Sequence, residues 1–430
     1  MNKLQKKIAS SIAAVALLVN MAMPVLAQTT IILTGNGSDS DNDAVVVVES
    51  TTTVVQTNIA DITNDVDVDA DTGDNSADDN TGGDVSIDTG DAEVAVGVVN
   101  TANTNTADIE GCCGSDAEVL ISGNGSESDN DVVLGLESAT AVFQTNDADV
   151  DNDVDVDADT GDNSADDNTG GTVSIDTGDA EVAVLLSTAV NTNSARVGGD
   201  SGGSSVSARI LGNGSGSDND IKLGLARSLV VNQVNLANLD NDVDVDADTG
   251  DNSADDNTGG DVSIDTGDAE VAVGIDNMAN FNSADVDCGC LLDVTAKIAD
   301  NAAFSDNTIR ATLTDSKDMW QTNDWHCRRK PKFGKFCGDW WPWLGRNDCN
   351  DVDVDADTGG NDVTDSTGEP GVDPAIETGN AEVEVLIENA GNANSVGTSS
   401  DSGFDWPGGF DFNLNLSFSL SDLLLALGLV

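Results

Sequence analysis

The chain has 430 residues, of which 79 are acidic and only 16 are Lys or Arg, for a formal net charge of −63. No Lys or Arg occurs between Gln28 and Ala195, which excludes nucleic acid as a partner, because binding phosphate depends on clustered cations. Acidity this dense opposes compaction by self-repulsion, yet Val-rich alternation and only 6 prolines argue against disorder, and the abundance of Val, Ile and Thr predicts an all-β chain.

The N-terminus carries Lys3, Lys6 and Lys7, then an apolar run from Ile8 to Val25, then Val25-Leu26-Ala27. That is the layout of a cleavable secretory signal, so residues 1–27 are expected to be removed and the rest secreted or held at the cell surface. Beyond it, Asn64 to Val96 recurs almost letter for letter as Asn152 to Val184 and Asn241 to Val273, differing only at Asp84, Thr172 and Asp261. The block belongs to a longer unit whose landmarks, Asn42 to Gln56, Asn130 to Gln144, Asn219 to Gln233 and Asn307 to Gln321, keep register. Four units follow: 28–115, 116–204, 205–292 and 293–395, the last interrupted by a foreign segment at 317–349, with a tail at 396–430.

A finer period underlies the unit. Asn36, Asn58, Asn80, Asn103 and Asn124 begin a series spaced 21 to 23 residues apart that runs to Asn323. A coil of about 22 residues suits a β-solenoid, in which Asn at a fixed corner stacks into a ladder of amide hydrogen bonds and tolerates left-handed backbone. The predicted fold is therefore an all-β repeat protein, a β-solenoid of about 22-residue coils grouped in four units of about 88. Because strand and turn signals do not keep phase with the Asn period, four tandem β-sandwich modules stay open as the alternative. Gln56-Thr57-Asn58-Ile59-Ala60 and Gly73-Asp74-Asn75-Ser76-Ala77 resemble, loosely and by period, curlin-type repeats and other bacterial β-solenoid surface proteins, which implies a self-associating surface structure.

Three motifs within the units bear on chemistry. Asp67, Asp69, Asp71, Asn75 and Asp78 place oxygen ligands close to the spacing of an EF-hand loop, and Asp69-Ala-Asp71-Thr-Gly73-Asp-Asn75 is similar to the calcium motif of cadherin repeats. The equivalent sets are Asp155, Asp157, Asp159, Asn163 and Asp166, and Asp244, Asp246, Asp248, Asn252 and Asp255; Ca²⁺ is the one cofactor these imply. The competing reading is an amphipathic strand, Val66, Val68 and Ala70 inward and the aspartates outward, with cations only screening the charge. Asp-Thr-Gly, the signature of aspartic proteases, recurs here at Asp71, Asp88, Asp159, Asp176, Asp248, Asp265 and Asp357, and is expected to be a turn. Gly199-Asp200-Ser201-Gly202-Gly203 matches the nucleophile motif of chymotrypsin-like proteases, but the only histidine, His326, follows it in the chain instead of preceding it. No enzyme is expected.

Seven cysteines in an exported chain imply disulfides: the candidates are Cys112, Cys113, Cys288, Cys290, Cys327, Cys337 and Cys349, with pairing open. The foreign segment concentrates Trp320, Trp325, Trp340, Trp341 and Trp343 with Arg328, Arg329 and Lys330, a composition typical of recognition surfaces; a self-packed loop is the alternative. At the C-terminus, Phe410, Phe412, Leu414, Leu416, Phe418 and Leu420 alternate with polar residues, which predicts a strand that either caps the repeat or attaches it to the envelope.

The functional expectation is a structural or adhesive surface rod, acidic and cation-stiffened, meeting a cell-surface or matrix component and capable of self-association. A soluble calcium-binding protein and a carbohydrate or envelope binder acting through the Trp-rich segment remain alternatives.

Overall fold

The structure, a computed structural model, describes residues 29–109, 116–198, 205–287, 293–327, 349–367 and 374–397. The expected secretory signal, the Gly199–Gly203 motif, most of the foreign segment and the C-terminal alternating stretch lie outside the described residues.

Each of the first three units is laid out as four strands, and in the fourth the long strand is split in two by the insertion. The first contains β1 (Thr29–Thr34), β2 (Asp41–Asp71), β3 (Val85–Asp88) and β4 (Ala92–Ile109). The second contains β5 (Ala117–Ser122), β6 (Asp129–Asp159), β7 (Val173–Asp176) and β8 (Ala180–Gly198). The third contains β9 (Ser205–Leu211), β10 (Asp218–Asp248), β11 (Val262–Asp265) and β12 (Ala269–Asp287). The fourth contains β13 (Asp293–Ala299), β14 (Asp306–Cys327), β15 (Asn350–Asp357), β16 (Ala375–Glu377) and β17 (Ala381–Gly397).

Equivalent strands of successive units pair in parallel, giving four sheets ordered β1-β5-β9-β13, β14-β10-β6-β2, β16-β11-β7-β3 and β17-β12-β8-β4. The chain is thus a β-solenoid, and the units do not close into separate sandwiches. Its coil, however, is four times longer than the Asn period predicts. Asn58 stacks on Asn146, 88 residues later, and not on Asn80. The four Asn steps are four different places on one coil: Asn36 lies in the turn before β2, Asn58 within β2, Asn80 in the end loop and Asn103 within β4.

Within a coil, β4 runs back along β2. The Gln56 side chain donates to the Thr106 carbonyl at 2.9 Å, Asn58 to Asn105 Oδ1 at 2.9 Å, and Asn64 to Asn100 Oδ1 at 2.9 Å. Between these limbs the inward side chains make the core, with Val154, Val156, Val182, Val184, Val243 and Val245 at its centre. A 31-residue strand at about 3.3 Å per residue spans roughly 100 Å, whereas four coils at about 4.8 Å rise only some 15–20 Å. The stack is therefore about five times longer along its strands than along the axis of its coils.

Two local devices keep the limbs in phase. Asn103, Asn191, Asn280 and Asn392 have φ of 61°, 65°, 66° and 55°, and the pairing of β4 with β8 passes from Ala102 to Thr104 without them. This bulge shifts the alternation, so that Ala92, Val94 and Val96 point inward before it and Asn105, Ala107 and Ile109 after it. The second device is a column of backbone contacts through glycine. A Cβ on Gly73 would strike the Gly161 carbonyl, one on Gly161 that of Gly250, and one on Gly250 that of Gly359.

The foreign segment begins later than the composition suggests. Lys317 to Cys327 are regular β14 residues paired with Leu229 to Leu239 of β10, and the strand resumes at Asn350 opposite Asn241. A Cys327–Cys349 disulfide, with Cα atoms 4.6 Å apart, closes the gap, so the sheet register is undisturbed by the insertion.

The glycine column yields a position-dependent test. Gly161→Ala should cost about 1–3 kcal/mol through overpacking against the next coil. Gly359→Ala, whose Cβ would approach only Asp357 Oδ1 at 3.0 Å, should stay within about 0.5 kcal/mol of the parent. Urea denaturation of both variants checks the contrast, and equal losses would contradict this stacking.

Candidate functional site: the outward carboxylate columns

In β2 the Val/Asp alternation puts Val66, Val68 and Ala70 against the core and leaves Asp67, Asp69 and Asp71 exposed, as extended backbone requires. Because the repeats stack in register, each aspartate lies beside its own copy. Asp67 faces Asp155, then Asp244, then Asp353; Asp69 faces Asp157, Asp246 and Asp355; Asp71 faces Asp159, Asp248 and Asp357. The candidate ligands therefore form columns running across coils at about 4.8 Å spacing, instead of gathering within one loop.

The remaining two members of each candidate set are turned to other work. Asn75 Nδ2 donates to the Thr72 and Gly73 carbonyls and to Asn163 Oδ1, at 2.9, 3.0 and 3.0 Å; Asn163 and Asn252 repeat this arrangement. Asp78 accepts from the Ser76 and Ser164 hydroxyls and from the Asp166 amide at 2.6, 2.9 and 2.8 Å. Asp166 and Asp255 serve the following coils in the same way. Among the described residues no group of three or more His, Cys, Asp or Glu side chains is arranged to hold a metal ion.

Asp71 closes an Asx turn, accepting from the Gly73 amide at 2.6 Å, and Asp159 and Asp357 do the same for Gly161 and Gly359 at 2.6 Å. Thr72 Oγ1 donates to the Gly90 carbonyl at 2.8 Å, tying this turn to the Asp88-Thr89-Gly90 turn. The Asp-Thr-Gly tripeptides are turns, as the sequence predicts.

The columns carry a strong electrostatic load. Burial between neighbouring coils comes first, with Asp162, Asp71 and Asp157 adding negative charge, and together these push Asp159 up to about 6 against the opposing Gly161 hydrogen bond. Asp248 is also raised to about 6, by burial and then by Asp159, Asp251 and Asp357. Burial and like-charged neighbours push Asp157, Asp244 and Asp246 upward too. Lowered groups are fewer. Asp78 is held down by its three donors despite burial, Asp84 by the Thr172 amide and Asp315 by Arg227.

The expected partner-binding set divides. Trp320 lies on β14 beside Asn232 and is 55% exposed. Trp325 is instead packed against the apolar cluster containing Val150, Val190 and Ala279. It stands in register with Ala237 and Ala148, and the larger ring is accommodated because residue 391 is Gly, where a Cβ would come within 2.9 Å of it. Arg328, Arg329, Lys330, Trp340, Trp341 and Trp343 lie outside the described residues, as do Cys112, Cys113, Cys288, Cys290 and Cys337. His326 is well exposed and pairs with Asp324 at 3.0 Å.

Sequence reasoning expected amide ladders, with Asn146 in its series, but placed them at coil corners and missed the polar residues between the limbs. Asn100, Asn105, Asn146, Asn152, Asn193 and Gln144 are buried and bonded both along their own column and across to the other limb. Their available signal was the persistence of Asn at inward parity in strands that otherwise put Val there.

No protein-family model, no curated protein and no solved structure matches the chain.

The pH dependence has a definite sign. For Asp159 and Asp248 the folded state binds protons from about pH 6 downward, whereas the unfolded chain does so only near the ordinary aspartate value of 3.8. The folded state holds more protons in that window, so stability should rise as pH falls from 7 towards 4. Below it, protonation of Asp78, Asp84 and Asp315 removes stability. A denaturation midpoint measured across pH 3–8 should peak near 4–5; a monotonic fall on acidification would contradict the assignment.

Proposed function

We propose that the chain is an exported, non-catalytic structural protein of the cell surface, whose acidic face is stiffened by cations. The observation that supports this reading most is the set of carboxylate columns, repeated through all four coils at the same register. Neighbouring carboxylates at about 4.8 Å repel by something under 1 kcal/mol even at the dielectric of water, and the columns sum that cost over many pairs. A folded chain of this kind is expected to collect counterions along the columns. A broad cation-binding face repeated without variation suits a structural layer, whereas catalysis needs unlike groups converging at one place.

Calcium is the expected ion, since hard oxygen donors suit it, with binding distributed along columns instead of in discrete loops. The chain is proposed to work at the envelope or in the extracellular matrix, with the secretory signal supporting export. A second reading, recognition of a carbohydrate or envelope component by the Trp-rich segment, draws on the Cys327–Cys349 disulfide, which fixes both ends of that segment at adjoining sheet positions.

Thermal unfolding in CaCl2, MgCl2 and NaCl at matched ionic strength tests the first reading. Divalent ions at millimolar concentration should raise the midpoint well beyond the effect of NaCl, and EDTA should reverse the gain. Equal shifts at equal ionic strength would leave the columns a passively screened surface and remove the support for cation stiffening.

A further inference from the structure

The two ends of the stack are different surfaces. Among the described residues, the four sheets terminate in first-coil strands on one side and fourth-coil strands on the other. On the fourth coil, inward apolar positions lie open: Val383 is 46% exposed, while Val271, its neighbour in the third coil, is fully buried. Leu313, Val385 and Ile387 are likewise exposed, although their third-coil partners Leu225, Val273 and Ile275 are buried. Edges this long are templates for further pairing.

The amide columns give the stack a polarity. Asn42 donates to Asn130, Asn130 to Asn219 and Asn219 to Asn307, at 2.9, 3.0 and 3.0 Å. Asn105 donates to Asn193, Asn193 to Asn282 and Asn282 to Asn394, all at 3.0 Å. The Gln column runs the other way, from Gln321 to Gln233 at 2.7 Å, Gln233 to Gln144 at 2.8 Å and Gln144 to Gln56 at 2.7 Å. Each column therefore ends with its donor side on one terminal coil and its acceptor side on the other. Opposite ends match; like ends place donor on donor in one set of columns and acceptor on acceptor in the other.

Charge is distributed in the same sense. The first coil has no Lys or Arg, whereas Lys297, Arg310 and Lys317 lie on the fourth. Bases in this fold already pair with acids one coil away, as Arg227 does with Asp315 and Arg209 with Glu118.

We propose that copies of this chain stack head to tail, the fourth coil of one on the first coil of the next, continuing the four sheets and the amide columns into an open filament. Such an interface is heterologous and does not close. Its area equals that between adjacent coils, where β2 and β6 pair along all 31 residues. The chain's own residues 398–430 are too few to replace it, being fewer than β14 (22 residues) and β17 (17 residues) together. Because each junction lengthens the carboxylate columns, assembly should be favoured by Ca²⁺ and by mildly acidic pH. Stacking does not depend on the proposed surface role: a single copy that never polymerised could still collect cations.

Two glycines isolate the two faces. At Gly359 a Cβ would point out of the fourth coil, and at Gly90 it would meet nothing within 4 Å, whereas Gly178 in the next coil would strike Gly90. Across a head-to-tail junction the Gly359 position would meet Gly73 of the next copy, and Gly90 would meet Gly379 of the preceding one. Gly359→Ala and Gly90→Ala should therefore leave the single copy as stable as the parent while weakening assembly at least tenfold.

The full chain would be followed by sedimentation velocity and electron microscopy at pH 5 and in millimolar CaCl2. The parent should form filaments with a rise of about 19 Å per copy, four strand spacings of about 4.8 Å. Each variant alone should stay short, and an equimolar mixture of the two should give one-to-one dimers and nothing longer. A parent that is monomeric under every condition, as a fourth coil covered by residues 398–430 would produce, overturns the proposal. So do parent dimers that never extend, or variants that polymerise like the parent.

Discussion

Stacking near-identical coils at one strand spacing places every side chain beside its own copy, and the chemistry of each residue type decides whether that proximity helps. An amide is both donor and acceptor, so a column of Asn or Gln satisfies itself. A branched apolar side chain gains contact with the copies above and below. A carboxylate gains only repulsion, under 1 kcal/mol per pair at the dielectric of water and more where burial lowers that dielectric. The inside of the stack is built from the first two types, and the outward face of the acidic block from the third.

The buried amides do more than neutralise their own polarity. Asn146 receives from Asn58 at 3.1 Å and Asn105 at 2.8 Å, and donates to Asn193 at 3.0 Å and Asn235 at 3.1 Å. It joins three coils and both limbs. Breaking such a network leaves several buried polar groups unpaired, at about 1–3 kcal/mol each, so a limb that slid by two residues would lose far more than its apolar contacts. Val-rich strands alone would tolerate that slide, because every second residue is equivalent. The amides, together with the left-handed Asn103 column, set one register.

Much of this was legible in the sequence. Val66-Asp67-Val68-Asp69 alternation predicted a half-buried strand, the Asp-Thr-Gly copies predicted turns, and the four landmark pairs from Asn42–Gln56 to Asn307–Gln321 predicted four units. Coil length was misjudged because Asn recurs at similar intervals along a path that doubles back, so Asn58 and Asn105 face each other across the core while lying in different sequence steps. The failure of strand and turn signals to keep phase at 22 residues was the clue, since only the 88-residue repeat matches every position. The candidate calcium loop failed to gather for a related reason. Spacing along one chain could not foretell that Asn75 would be claimed by its own column and Asp78 by the amide of the next coil.

Coil length is the claim on which the amide columns, the carboxylate columns and the proposed head-to-tail interface rest. Spin labels introduced by genetic encoding at the exposed positions Ile59 and Asp147, which are register partners, measure it directly. An 88-residue coil places them on adjacent strands, about 5 Å apart at the backbone, and predicts strong spin–spin broadening, with a 59/81 pair remaining sharp. Broadening of the 59/81 pair and a sharp 59/147 pair would contradict the account.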